Sequence, residues 1–226
     1  MIGIIGAMAS EISLLKSQLQ QAEQETVSGI VFSRGKLCGH PVVLAQSGVG
    51  KVFAAVCAQT MILRYGVDFL VNSGVAGSLS ETLRIGDVVI GTACVQHDMD
   101  TSPVGDPVGM VSGINCIQFP ADAAAVKELR SVCEKLRIPN RQGIIATGDQ
   151  FVASKERARW IAETFGAVAA EMESGAIAQT ALINKCPFAV IRVISDGANG
   201  DYQAFVKQSA KTSSEIVLSW LEAFAR

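Results

Sequence analysis

The feature that most constrains this chain is a set of short, nearly unbroken apolar runs in which polar and apolar residues do not alternate. VVIGTACV (Val88–Val95) and FAVIRVI (Phe188–Ile194) are two of them. A strand with water on one face alternates, whereas one that reads apolar throughout is covered on both faces. Comparable β-rich runs lie at Ile2–Gly6, Ile30–Leu37, Pro41–Gln46, Asp68–Asn72, Asp87–Val95, Gly143–Gly148 and Val168–Met172. Between them stand longer patterned segments: Glu11–Gln20, Val52–Tyr65, Ala123–Leu136, Lys155–Phe165, Ser174–Asn184 and a last one from about Tyr202 to Phe224. This alternation predicts an α/β domain with a mixed, mostly parallel central sheet flanked by helices. The runs 30–37 and 41–46, joined by Cys38-Gly39-His40, predict an antiparallel hairpin within it.

Composition agrees with one large core. Hydrophobic residues make up 49% of the 226 and charged residues 18%, which excludes disorder. No repeat, low-complexity tract or Pro/Gly/Ser linker divides residues 1–226, so a single domain is expected. A formal net charge of −2 argues against a nucleic-acid groove or a basic membrane face. The longest charge-free stretch, Pro107–Ala121, is too short and too polar to span a bilayer. The opening MIGIIGAM lacks the basic region of a signal peptide. Cys38, Cys57, Cys94, Cys116, Cys133 and Cys186 are scattered, with no CxxC pair, which predicts a reduced, cytoplasmic protein. With only His40 and His97 present, a multi-histidine metal site is impossible and a Ser–His–Asp triad is disfavoured.

In folds of this class ligands bind beyond the carboxyl ends of strands. The residues there read Gly6-Ala7-Met8, Ser47-Gly48-Val49-Gly50, Asn72 to Gly77, Thr147 to Phe151, Glu171-Met172-Glu173 and Ser195-Asp196-Gly197. SGVGK fails as a phosphate loop, because Ala45 stands where glycine is needed and Val52 where Ser or Thr is needed. No GxGxxG follows the first strand, so the dinucleotide fingerprint is absent too. His97-Asp98-Met99-Asp100 reads as a loop whose aspartates cap their own backbone rather than as a metal cluster. Glu171 and Glu173 end a very apolar run. Read as residues i and i+2 of one strand they would share a face, one structural and one meeting a ligand.

Taken alone, Asp196 reads as an Asp-Gly turn and Glu11 as an acid at a helix start. Their joint placement with Glu173 past strand ends, without a metal set, a nucleophile–histidine pair or a phosphate loop, suits cleavage of a glycosidic bond. One acid protonates the leaving group, another activates water, and negative charge stabilises an oxocarbenium-like centre.

Read in order, GIIGAM with Glu11, SGVGKV, NSGVAG, HDMD, TGDQFV, EMES and RVISDGA closely resemble the 5′-methylthioadenosine/S-adenosylhomocysteine nucleosidases of the purine nucleoside phosphorylase/uridine phosphorylase superfamily. The resemblance covers nearly the whole chain. It implies a homodimer that hydrolyses the N-glycosidic bond of 5′-thioadenosines without metal or cofactor. Carried over, it makes Asp196 the acid that protonates adenine N7, Glu11 the base for water, and Glu173 the acceptor of the ribose hydroxyls. Met172 would pack beside the sugar and Phe151 on the adenine, with the Val152 backbone reading the base edge. Met8, Val49 and Phe205 would line the 5′-alkylthio pocket, Arg192 would sit near the water and carboxylates, and Val75 and Ser195 would border the nucleoside. The loop His97–Val104 would reach across the dimer, where exposed apolar residues such as Met99, Val104, Val108, Met110 and Val111 would make a large patch on a monomer.

This chain departs from the pattern at one point. Many members have GSAG where this chain has Gly74-Val75-Ala76-Gly77, so a hydroxyl that could hold the catalytic aspartate is missing. Ser195, Asn199 or backbone would then have to hold Asp196, or substrate preference has shifted. Related phosphorylases carry arginines near the first glycine turn and before GxxG, whereas Met8–Ser10 and Asn72 occupy those places here, and Glu11 would repel phosphate. Water is therefore the expected nucleophile. A futalosine hydrolase or other nucleoside hydrolase of this fold is the alternative, and a catalytically silent nucleoside-binding protein a more distant one.

Overall fold

The computed structural model describes residues 1–197 and 205–223. Along the chain run β1 (Ile2–Gly6), α1 (Ala9–Gln18), β2 (Gln20–Val27), β3 (Ile30–Leu37), β4 (His40–Gln46), α2 (Lys51–Tyr65), β5 (Phe69–Ser78) and β6 (Val88–Gln96). A short 3-10 turn (Ser102–Val104) precedes β7 (Phe119–Pro120), α3 (Ala123–Lys135), β8 (Asn140–Thr147), α4 (Lys155–Phe165), β9 (Ala167–Glu171), α5 (Ser174–Ile183), β10 (Phe188–Asp196) and α6 (Val206–Ala223). The last helix was expected from about Tyr202 to Phe224; residues 202–204 and Phe224 lie outside the described residues.

β5 organises the sheet. One edge pairs with β1 through Phe69–Asn72 and then with β9 through Gly77–Ser78, while the other edge pairs with β10 from Leu70 to Gly77. β10 continues to β6, β6 to β8 and β8 to β9, so the ladder returns to β5 and closes a five-stranded ring. β1, β4, β3 and β2 extend from it as an open wing. The sheet is mixed as expected, and its two longest ladders, β5–β10 and β6–β8, are parallel.

Both faces of the sheet are covered, which is why the strands read apolar throughout. Ile5, Val43 and Leu70 pack with Ala54, Cys57 and Met61 of α2 and with Ile177 and Ala181 of α5. Their strand neighbours Ile4, Val42 and Val71 point the other way, onto Leu15 of α1, Leu129 of α3 and Trp220 of α6. The expected hairpin is present, with Leu37 paired to His40 across a two-residue turn. Cys38 and Gly39 both adopt left-handed conformations there, at φ 49° and 83°, which matches the twist of the strands it joins. The sequence reading missed β2, a polar edge strand with no buried face to leave a pattern.

Two expectations change. Asn72 to Gly77, read as a loop past a strand end, lies inside β5, because that strand stays paired with β10 as far as Gly77 and with β9 at Gly77–Ser78. The apolar residues after His97 do not form an exposed patch: Val111 is buried, Val108 packs near Ile161 and Phe165, and Met99 packs on the main core, leaving Val104 exposed. Exposed apolar side chains gather instead on α2 (Val52, Phe53, Val56, Leu63) and at the end of α5 (Leu182, Ile183). All six cysteines are free thiols, four of them buried. No helix among the described residues is long and apolar enough to cross a membrane.

Candidate active site

The carboxyl ends of β1, β9 and β10 and the second half of β5 converge on one cavity of about 260 Å³. Glu11 forms its wall on the β1 side. β1 ends at Gly6, and α1 begins two residues after Ala7, so Glu11 stands at the third position of that helix. Its side chain folds back onto the helix start. Oε2 accepts the Ala7 and Met8 N–H groups at 2.7 and 2.9 Å, and Oε1 accepts the Val75 N–H of β5 at 3.1 Å. Free N–H groups at a helix N-terminus are an anion site, and here a carboxylate of the chain itself fills it. Burial pushes the Glu11 carboxyl above its ordinary value, opposed by Arg192 and by the three N–H donors. The result is a stronger base than a solvated glutamate.

Glu171 and Glu173 do not share a strand face. β9 stops at Glu171, and Glu173 is the residue that opens α5, so a helix start separates them. The two carboxylates nonetheless sit in different settings. Glu171 turns inward and accepts the Thr147 hydroxyl, the Glu173 and Ser174 N–H groups and the Arg192 guanidinium. Burial alone would raise its carboxyl; Arg192, the Thr147 hydroxyl and the Ser174 N–H outweigh that and hold it below the usual range. Glu173 faces the cavity and accepts the Gly50 N–H at 2.9 Å. Burial, reinforced by Glu171 and Glu11 and opposed by Arg192 and the Gly50 N–H, pushes its carboxyl up to about 8.

Arg192 lies behind the cavity rather than in its lining. Its Nη2 donates to Glu171, Asn72 and Ser174, and its other terminal nitrogen faces Glu11 across Gly74. A Cβ at Gly74 would overlap Glu11 Oε1 and stand 2.7 Å from Arg192 Nη1, so this meeting of acid and guanidinium requires glycine. Asn72, Thr147 and Ser174 complete the buried network, a role the sequence reading gave to none of them. Polar residues inside otherwise apolar strands were their only signal.

Asp196 is the last residue of β10 and is buried. Its Oδ2 accepts the Ser195 hydroxyl at 2.9 Å. Val75, which lines the cavity, gives its N–H to Glu11 and has no hydroxyl for Asp196. Asn199 lies outside the described residues. Met8, Val49, Phe151, Val152 and Met172 also line the cavity, with Val49 and Phe151 half exposed at its mouth. Phe205 is exposed and is not part of that lining.

The description "Phosphorylase superfamily" belongs to the family model that matches residues 1–224. Among curated proteins, the chain is similar to the 5′-methylthioadenosine/S-adenosylhomocysteine nucleosidase of Staphylococcus carnosus (strain TM300), 38% identical over 99% of this chain and 100% of that one. Among solved structures it is similar to S-adenosylhomocysteine nucleosidase from Streptococcus pyogenes in complex with 5-methylthiotubericidin. That likeness has a TM-score of 0.96 and 34% identity, and covers 100% of this chain and 97% of that one. It is also similar to futalosine hydrolase of Helicobacter pylori strain 26695, with a TM-score of 0.94, 35% identity and coverage of 99% and 97%.

The raised Glu173 carboxyl makes stability depend on pH. A group with a folded value above its unfolded one contributes stability fully below the unfolded value and loses it as pH rises through the folded one. The melting temperature of the ligand-free wild type, relative to Glu173→Gln, should therefore fall between about pH 4.5 and 8. Thermal melts of both proteins across that range check this; a constant difference would mean that Glu173 titrates normally.

Proposed function

The chain belongs to the phosphorylase superfamily, among its 5′-methylthioadenosine/S-adenosylhomocysteine nucleosidases, and we propose that it hydrolyses the N-glycosidic bond of those two nucleosides to adenine and the 5′-thioribose. As such it is an N-glycosyl hydrolase. One observation carries the choice of water over phosphate. The Ala7 and Met8 N–H groups just before α1 and the Val75 N–H of β5, which could cradle an anion, are already taken by Glu11.

In this mechanism Asp196 gives its proton to adenine N7. The C1′–N9 bond breaks with its electron pair passing to the base, which leaves neutral. Water adds to C1′ and surrenders a proton to Glu11, whose raised basicity suits the task. Glu173 takes the ribose hydroxyls; their hydrogen bonds favour its charged form and draw its proton affinity back down. The carboxylates then face the positive charge that develops on the sugar. Ser195 fixes the orientation of Asp196. The half-exposed Val49 at the mouth supports an open end for the 5′ substituent, and Phe151 a stacking face for the base.

Futalosine hydrolysis is a second reading, favoured by the likeness to the Helicobacter pylori enzyme. Base release from methylthioadenosine, S-adenosylhomocysteine, futalosine and inosine separates the two. The first pair should be cleaved fastest; release from futalosine alone would contradict the assignment. In single-turnover assays Asp196→Asn should cost about 10²–10⁴-fold, because an amide cannot supply the proton. Its affinity for a non-hydrolysable thioadenosine should fall little, and near-wild-type turnover would return Asp196 to a turn residue.

We also infer a cytoplasmic homodimer. Six free thiols, four of them buried, support a reducing compartment. Val52, Phe53, Val56 and Leu63 on α2, with Val104 at 82% exposure, support an apolar contact between copies that carries the 97–104 loop to the neighbour. Sedimentation should give twice the chain mass of 23.8 kDa, and a fully active monomer would remove this part.

A further inference from the structure

Two sequence features remain outside this chemistry: the lysine of the failed phosphate loop and the aspartate after His97. The fold brings them together. Lys51 Nζ donates to Asp98 Oδ1 at 2.7 Å and to Gln96 Oε1 at 3.2 Å. The other oxygen of Asp98 accepts the Asp149 N–H at 2.8 Å, and Asp149 Oδ1 accepts the N–H of Lys51 at 2.7 Å. The three residues close a cycle between the start of α2, the loop leaving β6 and the loop leaving β8. Gln96 extends it by donating to Gln179 of α5 at 2.6 Å. Asp98 thus does not cap its own loop as the sequence suggested; Asp100 does, accepting the Ser102 N–H at 2.8 Å.

Each strand of this cycle ends at the cavity. Gly50, next to Lys51, gives its N–H to Glu173, and Val49 before it lines the mouth. Asp149 precedes Gln150, Phe151 and Val152, which line the other end. Gly50 stands at φ 102°, and a Cβ there would lie 3.0 Å from Asp149 Oδ1, so the two segments meet this closely only with glycine. Beneath them the His97 ring fills the space where a Cβ of Gly148 would stand, and its Nδ1 faces Arg157 Nη2 at 3.2 Å. The Lys51 and Asp98 side chains are mostly buried, so the solvent screening that weakens surface pairs is reduced.

The geometry points to Lys51 and Asp98 as positioning residues whose ion pair locks the sugar end of the cavity, through Gly50 and Glu173, to the base end, through Asp149 and residues 150–152. Neither residue lines the cavity. The nucleoside is met by one preformed frame rather than by two loops ordered on binding, and affinity gains accordingly. This rests on the thioadenosine reading of the cavity.

The test uses the full chain with Lys51→Met, Asp98→Asn, the double variant and Lys51→Arg. In both single variants KM for methylthioadenosine should rise about tenfold, and affinity for a non-hydrolysable thioadenosine should weaken equally, while kcat stays within about threefold. The double variant should be no worse than either single one, and Lys51→Arg should recover most of the loss. KM within about twofold of wild type in both single variants, a fall in kcat with KM unmoved, or fully additive losses would each overturn the proposal. Should Asp98→Asn fold poorly, Lys51→Met decides alone, because it keeps the N–H given to Asp149. Wild-type turnover measured alongside separates the two claims. A wild type inactive on methylthioadenosine removes the substrate reading, whereas an active one with unmoved variants removes only the ion-pair role.

Discussion

Everything at this site depends on the buried pair between Arg192 and Glu171. Three buried glutamates meet at one pocket, and their mutual repulsion and desolvation would not be tolerated without a guanidinium among them. Arg192 is the buried arginine among the described residues, and Glu171, Asn72 and Ser174 hold it from three elements. Removing such a partner typically costs about 3–5 kcal/mol, because the remaining charge is left unpaired. With Glu171 ionised and spent on Arg192, Glu173 is left proton-bound and Glu11 basic. Around one ion pair, three carboxyls of the same type thereby differ in proton affinity.

The same arrangement separates hydrolysis from phosphorolysis. A phosphate needs donors and positive charge, and the site has already committed both. The N–H groups at the start of α1 and at Val75 hold Glu11, and one arm of Arg192 holds Glu171. An incoming dianion would meet carboxylates where a phosphorylase would offer arginine. Water, which needs only a base, meets no such repulsion.

Much of this was legible in the sequence, for physical reasons that also explain what was not. Strands buried on both faces announce themselves as unbroken apolar runs, so β1, β4, β6 and β10 were placed to within a residue or two. β2 left no trace because nothing on it is buried. Glu11, Glu173 and Asp196 were singled out by their shared placement just past strand ends, and all three border one cavity. The link between Glu171 and Glu173 was misjudged, because a helix start and a strand continuation look alike over three residues. Lys51 and Asp98 each had an unremarkable local reading; only the fold brings residues 47 positions apart into one ion pair. Val75 has no hydroxyl to offer Asp196, and of the alternatives named for that task Ser195 does donate to it.

The claim on which the account turns is that Glu11 has replaced phosphate, so that water is the nucleophile. Adenine release from methylthioadenosine, followed in rigorously phosphate-free buffer and again with added phosphate, with the sugar product identified by mass, tests it directly. The account predicts equal rates and free 5-methylthioribose under both conditions. A rate that depends on phosphate and yields the sugar 1-phosphate would contradict it.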